Sequence, residues 1–172
     1  MPPTHHPTIW AAEPHTIAKI EILSGYLNAW FPILGQTRRG QDLLYVDGFA
    51  GPGVYSNHRK GSPLAALAAA RAALASSSSR WLAGTVHCAF IERNAPRFEH
   101  LTAVVQDYQN VAGLQVHLFR SSFVDGLETL RGRLPGAFTR NDPLFVFIDP
   151  FGATGAPFRV VRRSSAARAP RS

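Results

Sequence analysis

The sequence predicts an α/β domain built on a doubly wound parallel sheet, and three observations carry that expectation. Short apolar runs alternate with segments of helical periodicity along most of the 172 residues, the pattern of strands joined by crossover helices. The run Thr85 to Ile91 is almost continuously apolar, as in a strand covered on both faces. Three predicted strands end in an acid, Asp47, Glu92 and Asp149, at the sheet edge where open α/β folds bind their ligands.

Taken in order, Ile17 to Leu34 places Ile17, Ile20, Ile22, Leu23, Tyr26, Leu27, Trp30, Phe31 and Leu34 close to 3.6-residue spacing, which predicts an amphipathic helix that Pro32 should end or kink. Gly40 to Asp42 lead into a first strand, Leu43 to Val46. A glycine turn and the loop Val54 to Gly61 follow. Ser62-Pro63 reads as a helix start, with the hydroxyl at the N-cap and proline at the first helical position, and the alanine-rich stretch Leu64 to Leu74 is the helix. Ser76 to Ser79 breaks it. Thr85 to Ile91 is the second strand, Ala95 to Gln106 a helix, Leu114 to Leu118 a third and more polar strand, Phe123 to Leu134 a helix, and Leu144 to Asp149 the fourth strand.

The formal net charge of +7 suggests a nucleic-acid partner until it is located. Residues 1–150 carry 13 basic and 11 acidic side chains, whereas everything from Phe151 onward carries five arginines and no acid. A basic tail can bind phosphate backbones by counterion release, which keeps a nucleic-acid-binding module as an alternative. The N-terminus has no basic region followed by an apolar core, and no apolar run reaches 18 residues, so a cytoplasmic chain is expected. Cys88, the single cysteine, lies in the second apolar run and reads as a buried structural thiol. His5 and His6 sit in a proline-rich terminus without cysteine or carboxylate at ligand spacing and read as solvated, so no metal site is expected. His15 and Lys19 lie one helical turn apart and either meet an anionic group or form an exposed helix start.

Residues 46–53 read VDGFAGPG. A phosphate-binding loop requires a glycine, four residues and then Gly-Lys-Ser/Thr, an order that Lys60-Gly61-Ser62 does not keep. A dinucleotide loop requires a third glycine where Ser56 stands. S-adenosylmethionine requires a close backbone approach at the first turn and a carboxylate after the second strand for the ribose hydroxyls; Gly51 and Gly53 can supply the first and Glu92 the second. Each residue also has a plainer role: a glycine pair that only shapes a turn, Asp47 capping that turn, and Glu92 beside Arg93 as a solvated loop acid.

These residues resemble class I methyltransferases: VDGFAGPG is similar to their first motif, FIERN to their second, and FIDPFG to the fourth motif of amino-group methyltransferases of nucleobases. The ordered set of His15-Thr16-Ile17-Ala18-Lys19, Tyr26 to Trp30, Tyr45 to Gly53, Gly61-Ser62-Pro63, Phe90-Ile91-Glu92 and Asp149-Pro150-Phe151-Gly152 resembles the bacterial three-Cys-motif partner protein family (TcmP) more closely, from Pro14 to about Arg163. The resemblance implies a Rossmann-like methyltransferase fold, S-adenosylmethionine as cofactor, and a partner protein bearing a radical-SAM-like three-cysteine motif. A nucleic acid or nucleotide substrate is a further expectation, and the methyl acceptor is unassigned. It further implies that Asp47 takes the methionine ammonium or a water, that Glu92 takes the ribose, and that Ser122 stands where many such enzymes offer an acid to adenine. Asp149 would accept a hydrogen bond from the amino group to be methylated, with Phe151 stacked on a planar substrate. Only Pro150 separates Asp149 from Phe151, where the nucleobase enzymes place two residues, a departure that bears on substrate class. A non-catalytic interaction partner of the three-cysteine protein is the alternative.

The expected organisation is an N-terminal extension over residues 1–16, a partial methyltransferase-like domain over 17–161, and a basic low-complexity tail over 162–172, expected to be disordered. The family's sheet has about seven strands and four are found here. The composition changes abruptly after Val161, so the chain is expected to be the truncated or frameshifted product of a longer gene.

Overall fold

A computed structural model describes residues 8–58, 60–77, 79–139 and 142–149. Phe151 and the tail 162–172 lie outside them. The elements run α1 (Pro14–Thr37), β1 (Leu43–Asp47), α2 (Ser62–Ser76), β2 (Val86–Ile91), α3 (Ala95–Val104), a 3-10 turn (Gln106–Tyr108), β3 (Leu114–Phe119), α4 (Phe123–Arg133), α5 (Pro135–Thr139) and β4 (Leu144–Phe147). The four strands form one sheet in the order β3-β2-β1-β4, and every pairing is parallel.

Strand alternation sorts the core into two layers. Tyr45, Cys88 and Phe90 pack with Leu27 and Phe31 of α1, Leu67 and Ala70 of α2 and Leu101 of α3. Leu44, Val46, Ala89 and Ile91 pack with Phe123, Leu127 and Leu130 of α4 and Ala137 of α5 on the opposite face. The chain therefore winds from β1 through β2 to β3 on one face, then crosses the other face to reach β4 beside β1. That reversal creates a switch point between β1 and β4, at their carboxyl ends. β1 and β2 are buried throughout, which explains their unbroken apolar character, while β4 is half-buried.

Two expectations change. α1 runs through Pro32 to Thr37 rather than ending there: Phe31 and Gly35, on either side of the proline, are buried, and packing against α2 carries the helix past one missing N–H. The cap of α2 is Gly61, in extended conformation, and Ser62 is already helical. The Gly61 amide donates to the Gly53 carbonyl at 2.8 Å, which fixes the start of α2 against the glycine turn and leaves the Ser62 hydroxyl to a different task. Cys88 is fully buried, and burial pushes its thiol well above the ordinary range. Among the described residues no helix is long and apolar enough to cross a membrane.

Toward the amino end of the sheet, on the face carrying α4, His87 of β2 and His117 of β3 bring Nδ1 and Nε2 to 3.0 Å. Burial above all, then the neighbouring His87 and Arg133, pushes His117 down to about 4. Burial likewise lowers His87, against the opposing pull of Asp42 and Asp142. An imidazole kept neutral when folded yet free to charge when unfolded gives stability that is complete above its ordinary 6.5 and lost as pH falls toward 4. Discounted for solvent screening, this is about 1 to 2 kcal/mol. Urea melts of wild type and His117→Gln across that window should show the difference between them moving in the wild type's favour as pH rises.

Candidate functional site

Asp47, the last residue of β1, is fully buried. Its Oδ1 accepts the Phe49 amide at 3.2 Å, so it does cap the following turn, but Oδ2 has no hydrogen-bond partner among the described residues. Burial is the main reason its pKa rises to about 7; the Ser62 hydroxyl and the Phe49 amide pull it down, and the charges of Asp149 and Glu92 raise it. Those last two influences put Glu92 and Asp149 each within electrostatic reach of Asp47, in keeping with strands that share one carboxyl edge.

The glycine turn is tied to both neighbouring strands. The Gly48 amide donates to the Phe147 carbonyl of β4 at 2.9 Å, and the Ala50 amide to the Ile91 carbonyl of β2 at 3.0 Å. Gly51 and Gly53 take φ of 65° and 83°, left-handed values that side chains disfavour. The Gly51 amide donates to Glu92 Oε2 at 3.0 Å, and the Asn94 amide to Glu92 Oε1 at 2.6 Å. Glu92 is thus no solvated loop acid: it is buried and braces the turn through both oxygens, each of which keeps a lone pair for a further donor. His100 Nδ1 lies 2.7 Å from the Pro52 carbonyl, anchoring the turn to α3. A side chain built on Gly53 would run into Val104 Cγ2 at 2.8 Å, whereas one on Gly51 meets no atom of the described residues within 4 Å. Among the described residues the space above Gly51 is open.

Asp149, two residues past β4, pairs with Lys19 of α1, Nζ to Oδ1 at 2.7 Å. His15, for which the sequence leaves open an anionic group or an exposed helix start, contacts Glu13 at 3.2 Å, and both side chains are exposed. Ser122 stands at the carboxyl edge beyond β3 as the N-cap of α4; its hydroxyl accepts the Asp125 amide at 3.2 Å and donates to Asp125 Oδ2 at 2.6 Å. Next to it Phe123 stacks on Phe49 at 5.9 Å, closing the α4 side of the turn.

Two components escape the sequence patterns. Tyr55 is pushed up to about 12 by burial and then by Asp47 and Asp149, which places its hydroxyl in the field of the site; its position two residues past Gly53 is the one signal that could have found it. The N-terminal segment, expected to be an extension, straps the loop carrying Tyr55. Asn57 accepts the Ala12 amide at 2.7 Å and donates to the Ala12 carbonyl at 2.9 Å, and the Ser56 amide reaches the Trp10 carbonyl at 3.0 Å. Trp10 packs edge-on against Tyr55, and the Arg97 guanidinium lies 4.4 Å from the centre of the Trp10 ring. Nothing in the periodicity of residues 8–12 marks this.

Asp47, Gly51, Gly53, Glu92 and Asp149 therefore gather at one sheet edge beside the switch point. Ser122 joins that edge with its hydroxyl engaged in capping, and Phe151 lies outside the described residues. Among the described residues no group of three or more His, Cys, Asp or Glu side chains is placed to hold a metal ion. No protein-family model matches the sequence, and a comparison with curated proteins finds no match.

Proposed function

We propose that this chain is an S-adenosylmethionine-dependent methyltransferase-like domain, similar to the three-Cys-motif partner proteins, with its methyl acceptor unassigned. The observation that carries this reading is the fully buried Asp47 Oδ2, without a partner among the described residues, beside a left-handed glycine turn that Glu92 braces from β2. A buried carboxylate oxygen without a donor is costly unless a ligand completes it, and an ammonium group is the donor its charge prefers. The open space above Gly51 suits close approach of a ligand to backbone, and the spare lone pairs of Glu92 suit a pair of ribose hydroxyls. Bound there, the cofactor supplies an electrophilic methyl group. The residues of the chain bind and orient: Asp47 the ammonium, Gly51 and Gly53 the methionine arm, Glu92 the ribose, and Ser122 the adenine side through whatever capacity its cap leaves. Asp149, with Oδ1 held by Lys19, would offer Oδ2 to an acceptor amino group, and Phe151 would stack on the acceptor. Positioning of this kind is the main source of rate.

Calorimetry with S-adenosylmethionine tests the reading. Wild type is expected to bind, and Glu92→Ala to lose affinity by about tenfold to a hundredfold, the weight of charge-assisted hydrogen bonds. A wild type that gives no binding heat at any temperature and no thermal shift overturns it.

A second reading has its own observation. α1 exposes Ile22, Tyr26 and Ile33 at 73%, 49% and 59%, and Tyr26 stacks on Phe145 of half-buried β4 at 5.0 Å. An apolar stripe continuous with a strand suits a protein partner, which favours a non-catalytic interaction role with a three-Cys-motif protein should the cofactor test fail.

A further inference from the structure

Asp47 Oδ2 is not the only buried oxygen left without a donor or acceptor in this part of the molecule. The Tyr45 hydroxyl, two residues earlier on β1, also has no hydrogen-bond partner among the described residues, and Tyr45 itself is fully buried. A buried tyrosine hydroxyl normally finds a partner. Residues two apart on a strand share one face, so both orphaned oxygens lie on the α1–α2 side of the sheet. The ring of Tyr45 stacks on Phe145 at 5.8 Å and lies tilted against Phe90 at 6.2 Å. The charge of Asp47 acts on this hydroxyl, after burial the largest influence upon it, and raises its pKa further. Ser62, buried at the start of α2, adds a third polar group beside Asp47.

We propose that Tyr45 is a positioning residue for Asp47: its hydroxyl and Asp47 Oδ2 share one buried water, through which Tyr45 donates toward the carboxylate. A tyrosine hydroxyl, a carboxylate oxygen and the Ser62 hydroxyl make up the two to four polar partners that an internal water requires. The arrangement gives Oδ2 a donor of its own beside the Phe49 amide on Oδ1, favouring the charged form, while the ligand approaches from the side of the turn. The other charges facing Asp47 are Glu92 after β2 and Asp149 after β4, both opposing ionisation, and Tyr55 from the loop. Tyr45 joins the Ser62 hydroxyl and the Phe49 amide, which favour it.

The test needs no ligand in its first arm. Carboxyl carbon NMR of the full chain, with Asp47→Asn to assign the signal, follows the protonation of Asp47 in wild type and in Tyr45→Phe, which keeps the ring and removes only the hydroxyl. The midpoint is expected to rise by at least half a pH unit in Tyr45→Phe, about a threefold gain in proton affinity. An unchanged or lowered midpoint overturns the proposal, and so does a Tyr45→Phe variant that is simply more stable with the Asp47 titration untouched, since that marks the hydroxyl as an unsatisfied group with no link to the carboxylate. The second arm rests on the proposed function: Tyr45→Phe should weaken S-adenosylmethionine binding at pH 7 by about threefold. Failure of wild type to bind sinks the cofactor reading and leaves the first arm standing, whereas binding with equal affinity in both proteins counts against the role of Tyr45.

Discussion

Replacing Gly53 by valine is expected to remove about 3 to 5 kcal/mol of stability, a large share of what a domain of this size has, whereas Gly51→Ala should cost only about 1 to 2 kcal/mol. Both glycines hold left-handed φ, so both substitutions incur backbone strain, and a β-branched residue incurs more of it. The difference lies in what surrounds them. A Cβ on Gly53 would meet Val104 Cγ2 at 2.8 Å and Leu101 Cδ1 at 3.2 Å, and Leu101 is fully buried in the core; overpacking of that kind adds about 1 to 3 kcal/mol. It would also disturb the Gly53 carbonyl that receives the Gly61 amide and so sets the start of α2. A Cβ on Gly51 meets no atom of the described residues within 4 Å, so under the proposed function its methyl group would stand where the ligand approaches. The pair separates folding from binding: Gly53→Val should shift the urea midpoint strongly, while Gly51→Ala should fold with a modest shift and still lose about tenfold or more in S-adenosylmethionine affinity, the equivalent of about 1.4 kcal/mol. Equal stability losses would show that the contacts with Val104 and Leu101 relax freely, and undiminished affinity in Gly51→Ala would show that the ligand does not approach the turn.

The order of elements was legible because its signals are local. Apolar runs bounded by glycine and proline, together with helical periodicity between them, locate the four strands and the major helices within a few residues. Pro32 misled because the proline rule concerns one amide, and the burial of Phe31 and Gly35 outweighs it. Ser62 misled because its hydroxyl pattern fits a cap, yet the contact between Gly61 and Gly53, eight residues away, decides where α2 starts. The strand-end acids were visible as a set since each needs only its own strand's end to be recognised. What Glu92 does with both its oxygens was not visible, because the Gly51 amide is 41 residues away in sequence. The same holds for the pairing of Lys19 with Asp149, which depends on how α1 docks on the sheet, and for the clasp of Asn57 on Ala12, which joins two segments 45 residues apart. The orphaned oxygens of Tyr45 and Asp47 are the extreme case: an unmet hydrogen bond has no sequence signature at all.

Asp47→Asn should make the protein more stable at neutral pH while weakening its ligand affinity. Burial raises the Asp47 carboxyl from 3.8 to about 7, so the folded chain prefers it protonated and the unfolded chain does not. The stability this lends the fold is complete below pH 3.8 and lost as pH rises through about 7. Above that, ionised Asp47 costs about 4 kcal/mol, since a tenfold difference in proton affinity between the folded and unfolded chains is worth about 1.4 kcal/mol. An asparagine carries no charge but leaves a polar atom in the same place, which trims the gain to about 2 to 4 kcal/mol. Urea melts at pH 8 should show it and melts at pH 4 should not; a destabilised variant at pH 8 would mean that Asp47 is stabilised there by contacts stronger than its burial penalty. The slope from Asp47 opposes that from His117 over nearly the same interval and is the larger of the two, so the wild type should lose stability as pH rises but less steeply than His117→Gln, whereas Asp47→Asn should expose a stability that climbs. Under the proposed function, ligand binding inverts the effect. A cationic group seated on Oδ2 favours the carboxylate, so near or below pH 7 association should release a proton, visible as a dependence of binding heat on the ionisation enthalpy of the buffer, and affinity should fall as the solution is acidified. An acid that weakens its own fold until a positive ligand arrives has a physical reason to sit where it does; binding heat identical in all buffers at pH 6.5 would remove that reason.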